Sequence, residues 1–164
     1  MTDSLTFMMG KFEAPLPADR RYCRNHMWCL AAPPPHPQPL SPGGEREADV
    51  LRFGFTSYAV RLMQDVYFLD WEVNRGDTLA HKQKIGHIET SKAMSDLFAP
   101  IAGTLVQFNA ELLNDPAAIN VDMYGNGWLF EMAGSDAETL SVQEYHDFLG
   151  SGWEKTQNML KGHM

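Results

Sequence analysis

The sequence predicts a mainly β domain with short flanking helices and a C-terminal helix, and three observations lead there. Short apolar runs recur along the chain: Val50 to Phe55, Asp65 to Leu69, the segments on either side of Lys92, Gly103 to Phe108 and Trp128 to Met132, separated by turn-forming residues. The run Gly76-Asp77-Thr78-Leu79, leading through Lys84-Ile85-Gly86-His87-Ile88 to Lys92, has a counterpart in Gly103-Thr104-Leu105-Val106-Gln107-Phe108 leading away from it. Two similar strand units therefore flank one turn. Helix signals are fewer: Thr56 as an N-cap before Ser57 to Met63, and the capping box Ser141-Val142-Gln143-Glu144.

Composition sets the outer limits. A chain of 164 residues is enough for one domain with a sizeable core. A net charge of −8 argues against nucleic acid or an anionic membrane as a partner. No apolar run is long enough to span a bilayer, and the N-terminus lacks the basic and apolar regions of a signal peptide, so the expected location is the cytoplasm.

Taken in order, residues 1–20 mix Met8, Met9 and Phe12 with Pro15 and Pro17 and read as an extended or frayed N-terminal arm. A domain spanning 21–150 follows. It opens with a strand over Arg21 to Cys29 and is interrupted at about 32–48 by a segment rich in proline, which lacks the amide donor that a central strand or helix interior needs. That segment reads as a solvated, polyproline-like surface insertion. Strand character resumes over Val50 to Phe55, followed by a helix from Thr56 to Met63 with Ala59, Leu62 and Met63 on one face. Asp65 to Leu69 is a buried strand, and Asn74-Arg75-Gly76-Asp77 turns the chain into the next. Asn109 to Pro116 is a loop with a short helix, and the glycines of Tyr124-Gly125-Asn126-Gly127 relieve a turn before the strand Trp128 to Met132. The capped helix places Tyr145 and Phe148 on one face with Leu149 beside them, and 151–164 is a C-terminal tail.

Cys23 and Cys29 flank His26 and invite a metal or redox reading. On one strand, residues six apart are separated by roughly 20 Å at ~3.3 Å each, while a disulfide needs Cα atoms within about 7 Å. Free, structural cysteines are expected. His81 and His87 bring no cluster of partners with them, so no metal site is expected.

The chemistry concentrates at Lys92. Ile85 to Gly103 reads as two strands joined by a polar turn, with Lys92 among Thr90, Ser91 and Ser95. A turn lysine with no apolar wall to desolvate it is a poor base or nucleophile near neutral pH. What it offers is access: another enzyme can reach it and attach something.

The sequence around that lysine, Glu89-Thr90-Ser91-Lys92-Ala93, resembles the lipoylation motif of lipoyl domains. Glu89 stands three places before the lysine, Ala93 follows it, and Gly103 lies eleven places beyond. The longer string Ile88 to Pro100 is similar to one branch, the H proteins of the glycine cleavage system. Biotin carriers have methionine on both sides of their lysine, whereas Ser91 and Ala93 flank Lys92. Tyr22, His26 and Trp28 match the family's first strand; Gly54, Thr56, Tyr58 and Ala59 match its next helix; Tyr124-Gly125-Asn126-Gly127-Trp128-Leu129 matches a downstream segment. Met27 stands where the family has a glutamate lining the cleft that holds the amine of the arm's cargo, and Asp96 matches the family's second acid there. Glu13 and Asp19 are the nearby acids that could take the glutamate's place.

The resemblance implies a flattened barrel-sandwich hybrid of the lipoyl/biotinyl type, with a hairpin tip presenting Lys92. It implies a carrier rather than an enzyme, with lipoate attached covalently to Lys92 and Glu89, Ala93 and Gly103 guiding the lipoyl-attaching enzyme. His26, Met27 and Asp96 would form the arm cleft. The expected partners are a pyridoxal-phosphate glycine decarboxylase, an aminomethyltransferase using tetrahydrofolate, and dihydrolipoyl dehydrogenase, visited by a monomer. Two alternatives stand beside this: an H-like lipoate-binding protein of another pathway, in sulfur oxidation or lipoyl relay, and an unlipoylated scaffold.

Overall fold

The computed structural model describes residues 4–32 and 50–162, with side chains through residue 156. The proline-rich insertion therefore lies outside the described residues, apart from its first residue, Ala32. The elements are β1 (Leu5–Met9), β2 (Phe12–Leu16), β3 (Arg21–Tyr22), β4 (Met27–Ala31), β5 (Val50–Phe55), α1 (Ser57–Met63), β6 (Val66–Trp71), β7 (Thr78–Leu79), β8 (Lys84–Thr90), β9 (Met94–Phe98), β10 (Gly103–Phe108), α2 (Glu111–Asn114), α3 (Ala118–Val121), β11 (Phe130–Gly134) and α4 (Val142–Gly162). The chain is mainly β, as expected from its recurring short apolar runs.

The strands form three sheets: a hairpin β1-β2, a six-stranded sheet in the order β3-β4-β5-β11-β10-β7, and a three-stranded sheet in the order β6-β8-β9. The two larger sheets share the main core. Phe53, Phe55, Leu105, Phe130 and Met132 come from the first, and Val66, Leu69, Ile85, Ile88 and Leu97 from the second. The two repeat halves pair directly: Thr78 and Leu79 of β7 face Thr104 and Gly103 of β10. Close backbone approach explains Gly103, since a Cβ there would collide with the carbonyl oxygen of Ala133.

A second core lies on the outer side of β3 and β4, and it accounts for the burial of consecutive residues Met27, Trp28 and Cys29. Met27 and Cys29 belong to the main core, while Trp28 joins Tyr22, Tyr58, Tyr145 and Leu149 in the second. The element that closes this second core is the one the sequence disguised. Residues expected as an extended or frayed arm form β1-β2, turned at Gly10 with φ +65°. Phe7, Met9, Ala14 and Leu16 are buried, whereas Met8 and Phe12 are exposed. Pro15 is tolerated because β2 is an edge strand with β1 as its one sheet neighbour.

Three further expectations change in detail. Arg21 to Cys29 is a tight hairpin rather than one strand: the Cys23 N–H donates to the Met27 carbonyl, the His26 N–H donates to the Cys23 carbonyl, and His26 takes the left-handed backbone at φ +67°. Histidine is among the residues that reach this region more readily. The strand expected from Trp128 begins at Phe130. The capped helix does not stop near residue 150 but runs on as α4 through Gly150 and Gly152, and Trp153 packs edge-on against Phe7 at 5.7 Å. Its N-terminus has the expected reciprocal box: the Ser141 N–H donates to Glu144 Oε1 at 2.9 Å, and the Glu144 N–H donates to Ser141 Oγ at 3.1 Å. Among the described residues, no helix is long and apolar enough to cross a membrane.

Candidate functional site

Lys92 sits at the tip of β8-β9, where Glu89 faces Met94 as the last paired position before the turn. Thr90 builds the turn. Its N–H donates to the Ala93 carbonyl at 3.0 Å. Its hydroxyl donates to that carbonyl at 3.2 Å and accepts from the N–H groups of Lys92 and Ala93 at 3.2 and 3.4 Å. A threonine hydroxyl closing a turn onto the next residues is a recognised local device. Ser91 fastens the tip to the entry of β6, its N–H donating to the Asp65 carbonyl at 2.9 Å and its Oγ accepting the Asp65 N–H at 3.2 Å. The Lys92 side chain is exposed and makes no hydrogen bond or ion pair with another described residue. Its amine is thus held out on a fixed backbone, chemically plain and sterically open. The positioning roles of Thr90 and Ser91 were not legible in the sequence beyond their being polar turn residues, and Asp65 was read as the start of a strand.

Of the residues expected to guide attachment, Glu89 and Ala93 belong to this tip, and Gly103 does not. Gly103 lies in the other large sheet, opposite Gly134 and Leu79. On the outer face of the three-stranded sheet, Lys84 Nζ lies 3.4 Å from Asp96 and 3.5 Å from Glu72, and His87 Nδ1 lies 3.3 Å from Glu72. Asp96, then Glu72, raise the Lys84 ammonium above its usual range. The groups are exposed, so these pairs orient side chains more than they stabilise the fold. Among the described residues, no group of three or more histidine, cysteine, aspartate or glutamate side chains is arranged to hold a metal.

His26, Met27 and Asp96, far apart in the chain, line one cleft of about 190 Å³ between the β3-β4 turn, α1 and β9. Its other walls include Asn25, Phe55, Leu62, Leu97 and Phe98. Met27 is buried and brings a thioether, which has no charge. Burial pushes the His26 imidazolium down to about 4, so the ring is neutral at neutral pH. Its Nδ1 lies 2.9 Å from the Tyr145 hydroxyl. Neither Glu13 nor Asp19 lines this cleft. Glu13 pairs opposite Met8 in the N-terminal hairpin, and Asp19 is tied to Arg20 at 2.8 Å, which holds its carboxyl below the ordinary range. A larger open groove of about 910 Å³ lies beyond Asn25 and Phe98, and neither Lys92 nor Asp96 borders it.

The two cysteines need a different argument from the one their spacing suggested. The hairpin brings Cys29 opposite Arg21 while Cys23 bonds to Met27, so the ~20 Å separation of a single strand does not apply. Both remain free and buried. Burial raises the Cys23 thiol far above its usual range and pushes Cys29 up to about 12, so neither is poised for redox or ligand chemistry.

Comparison with known proteins agrees with this geometry. The family model described as "Glycine cleavage H-protein" matches residues 45–150. A probable glycine cleavage system H protein of Natronomonas pharaonis is 37% identical over 133 residues, covering 79% of this chain and 93% of the relative. The H protein of Streptomyces coelicolor is 31% identical over 138 residues, covering 82% and 98%. The crystal structure of a glycine cleavage system H protein from Mycobacterium marinum superposes with a TM-score of 0.65 at 33% identity, covering 82% of this chain and 99% of that one. The chain belongs to the glycine cleavage H-protein family, whose members are carriers and not themselves enzymes.

Proposed function

We propose that this protein is a lipoylated carrier of the glycine cleavage system, acting in the cytoplasm, with lipoate in amide linkage to Lys92. The observation that supports it is the Lys92 amine, exposed and unpaired among the described residues on a turn locked by Thr90 and Ser91. Glu89 and Ala93 on the same tip, with Gly103 shaping the neighbouring sheet, would guide the lipoyl-attaching enzyme. When attached, lipoate would supply a redox-active disulfide whose opening frees one sulfur to carry an aminomethyl group. The chain's own residues do the rest: the Lys92 backbone sets where the arm is rooted, and the cleft of His26, Met27 and Asp96 lies beside the same hairpin. Acylation removes the amine's charge and leaves a tether, which raises the effective concentration of cargo at each successive active site. The partners in this reading are glycine decarboxylase, aminomethyltransferase and dihydrolipoyl dehydrogenase, and the carrier works as a monomer.

One observation favours a second reading. Met27 gives the cleft no charge, and neither Glu13 nor Asp19 reaches it. An H-like carrier serving sulfur oxidation or lipoyl relay would not need an amine-binding carboxylate there.

Intact mass after incubation with a lipoyl-attaching enzyme, followed by a reconstituted glycine cleavage assay, separates these. The wild type is expected to gain one lipoyl adduct and Lys92→Ala none; an unmodified wild type would support an unlipoylated scaffold instead. A full cycle with lipoylated wild type supports the first reading. If only Met27→Glu completes the cycle, the lipoyl carrier stands and its natural cargo is not aminomethyl.

A further inference from the structure

The ring of His26 is not free to choose which nitrogen carries its proton. Thr56 is fully buried, and its Oγ accepts the Ala59 N–H at 3.2 Å as the N-cap of α1. The hydroxyl proton of Thr56 has one acceptor among the described residues, the Tyr145 hydroxyl at 2.9 Å. A buried hydroxyl left without an acceptor costs about 1–3 kcal/mol, so Thr56 donates to Tyr145. Tyr145, also fully buried, then spends its own proton on the remaining neighbour, Nδ1 of His26 at 2.9 Å. With Nδ1 accepting, the proton of the neutral ring resides on Nε2. Nε2 has no hydrogen-bond partner among the described residues and is not among the buried unsatisfied atoms, so it faces open space on a ring that lines the cleft. Tyr58 and Phe148, with ring centroids 5.0 and 5.9 Å away, hold the plane.

We propose that Thr56 and Tyr145 are positioning residues that fix His26 as an Nε2–H donor, so that the cleft takes an uncharged, hydrogen-bond-accepting end of the Lys92-tethered arm in preference to an ammonium. The occupant rests on the carrier reading above; the tautomer does not. The cleft's walls argue the same way. Met27, Phe55, Leu62 and Leu97 offer a cation nothing in exchange for its water. Its side-chain acceptors include the Ser95 hydroxyl, which is neutral, and Asp96, whose carboxylate is already shared with Lys84 at 3.4 Å. A sulfur or carbonyl end group loses little hydration on entering and gains the imidazole N–H.

Long-range proton–nitrogen NMR of the ¹⁵N-labelled full chain reads the tautomer directly. The expected result is a His26 proton on Nε2 in the wild type and in Thr56→Ser, with the Nδ1 resonance moving to that of an unbonded ring nitrogen in Tyr145→Phe, where its donor is gone; an Nδ1 resonance that does not move in Tyr145→Phe would show that Tyr145 does not hold the ring. A wild-type proton on Nδ1 overturns the proposal. Selectivity is read on Lys92→Cys, with the introduced thiol alkylated by arms of equal length ending in an amide or an ammonium. The buried Cys23 and Cys29 stay out of that reaction. The amide arm should shift the His26 Nε2 resonance and the ammonium arm leave it in place; an equal or larger shift with the ammonium arm overturns the selectivity. Lipoylation of Lys92 is scored separately by mass. Its failure would remove the carrier reading while leaving both NMR outcomes decisive.

Discussion

The hydroxyl of Thr90 receives the backbone N–H of Lys92 at 3.2 Å, so a side chain two residues away fixes the direction in which the modifiable amine leaves the hairpin. The same oxygen holds Ala93, and Ser91 anchors the tip to Asp65. The turn is therefore tied from both sides without any contact to the lysine side chain itself.

Thr90→Val keeps the β-branched shape of the residue but removes these bonds. Because the turn is exposed and lies outside both cores, the loss in unfolding free energy should stay within about 1 kcal/mol. The rate at which a lipoyl-attaching enzyme modifies Lys92 should fall on the order of tenfold, because misplacing a reacting group is expensive even when binding survives. Modification kinetics by mass, set beside urea denaturation of the same variant, check this. An unchanged rate would mean that the enzyme reads the tip's side chains and not its backbone geometry.

Cys23 and Cys29 should resist alkylation in the folded protein. The thiolate is the reactive form, and burial holds Cys29 up to about 12 and Cys23 higher still. Iodoacetamide at pH 8 should label neither within the time that labels both in denaturant. Labelling of the native chain at the unfolded rate would show that the β3-β4 hairpin opens readily.

What the sequence made legible was local. The Lys92 hairpin, the Thr56 cap and the Ser141–Glu144 box each rest on residues a few places apart, and each has its expected hydrogen bonds. The cleft was legible only through resemblance, because its polar floor depends on a contact between His26 and Tyr145 across 119 residues. The turn at Arg24 to His26 was hidden because apolar residues on both sides merge into one apparent strand, and burial on two faces erased the alternation that would have revealed its register. The β1-β2 hairpin was hidden by Pro15 and Pro17, although Phe7, Met9, Ala14 and Leu16 carried a period-two signal.

That hairpin should be worth a large share of the stability. Phe7 meets Tyr58 of α1 at 5.8 Å and Trp153 of α4 at 5.7 Å, joining the two ends of the chain through one ring. Phe7→Ala should cost about 3 kcal/mol or more, while Met8→Ala, whose side chain points outward, should cost well under about 1 kcal/mol. Urea midpoints for the pair measure the contrast directly. Equal small losses would reinstate the frayed arm.

His26 gives the protein an acid-sensitive contact of calculable sign. Burial penalises the charged ring and holds it at about 4 in the folded chain, below the ordinary 6.5 of a histidine. Between those values the unfolded chain binds a proton that the folded chain does not, so stability falls as pH drops from about 6.5 to about 4. Below that both states are protonated and this contribution levels off. The full difference corresponds to about 3 kcal/mol. The facing hydroxyls do not reverse the sign: Tyr58 and Tyr145 stay neutral across this range, raised by burial. His26→Asn tolerates the left-handed backbone and cannot titrate there, so wild type minus variant isolates the histidine from the acid titration of carboxylates. Unfolding free energies at pH 7, 5.5 and 4 should show that difference shrinking steadily as the solution becomes more acidic; a constant difference would mean that the ring reaches water freely and that the Thr56–Tyr145–His26 chain does not hold it.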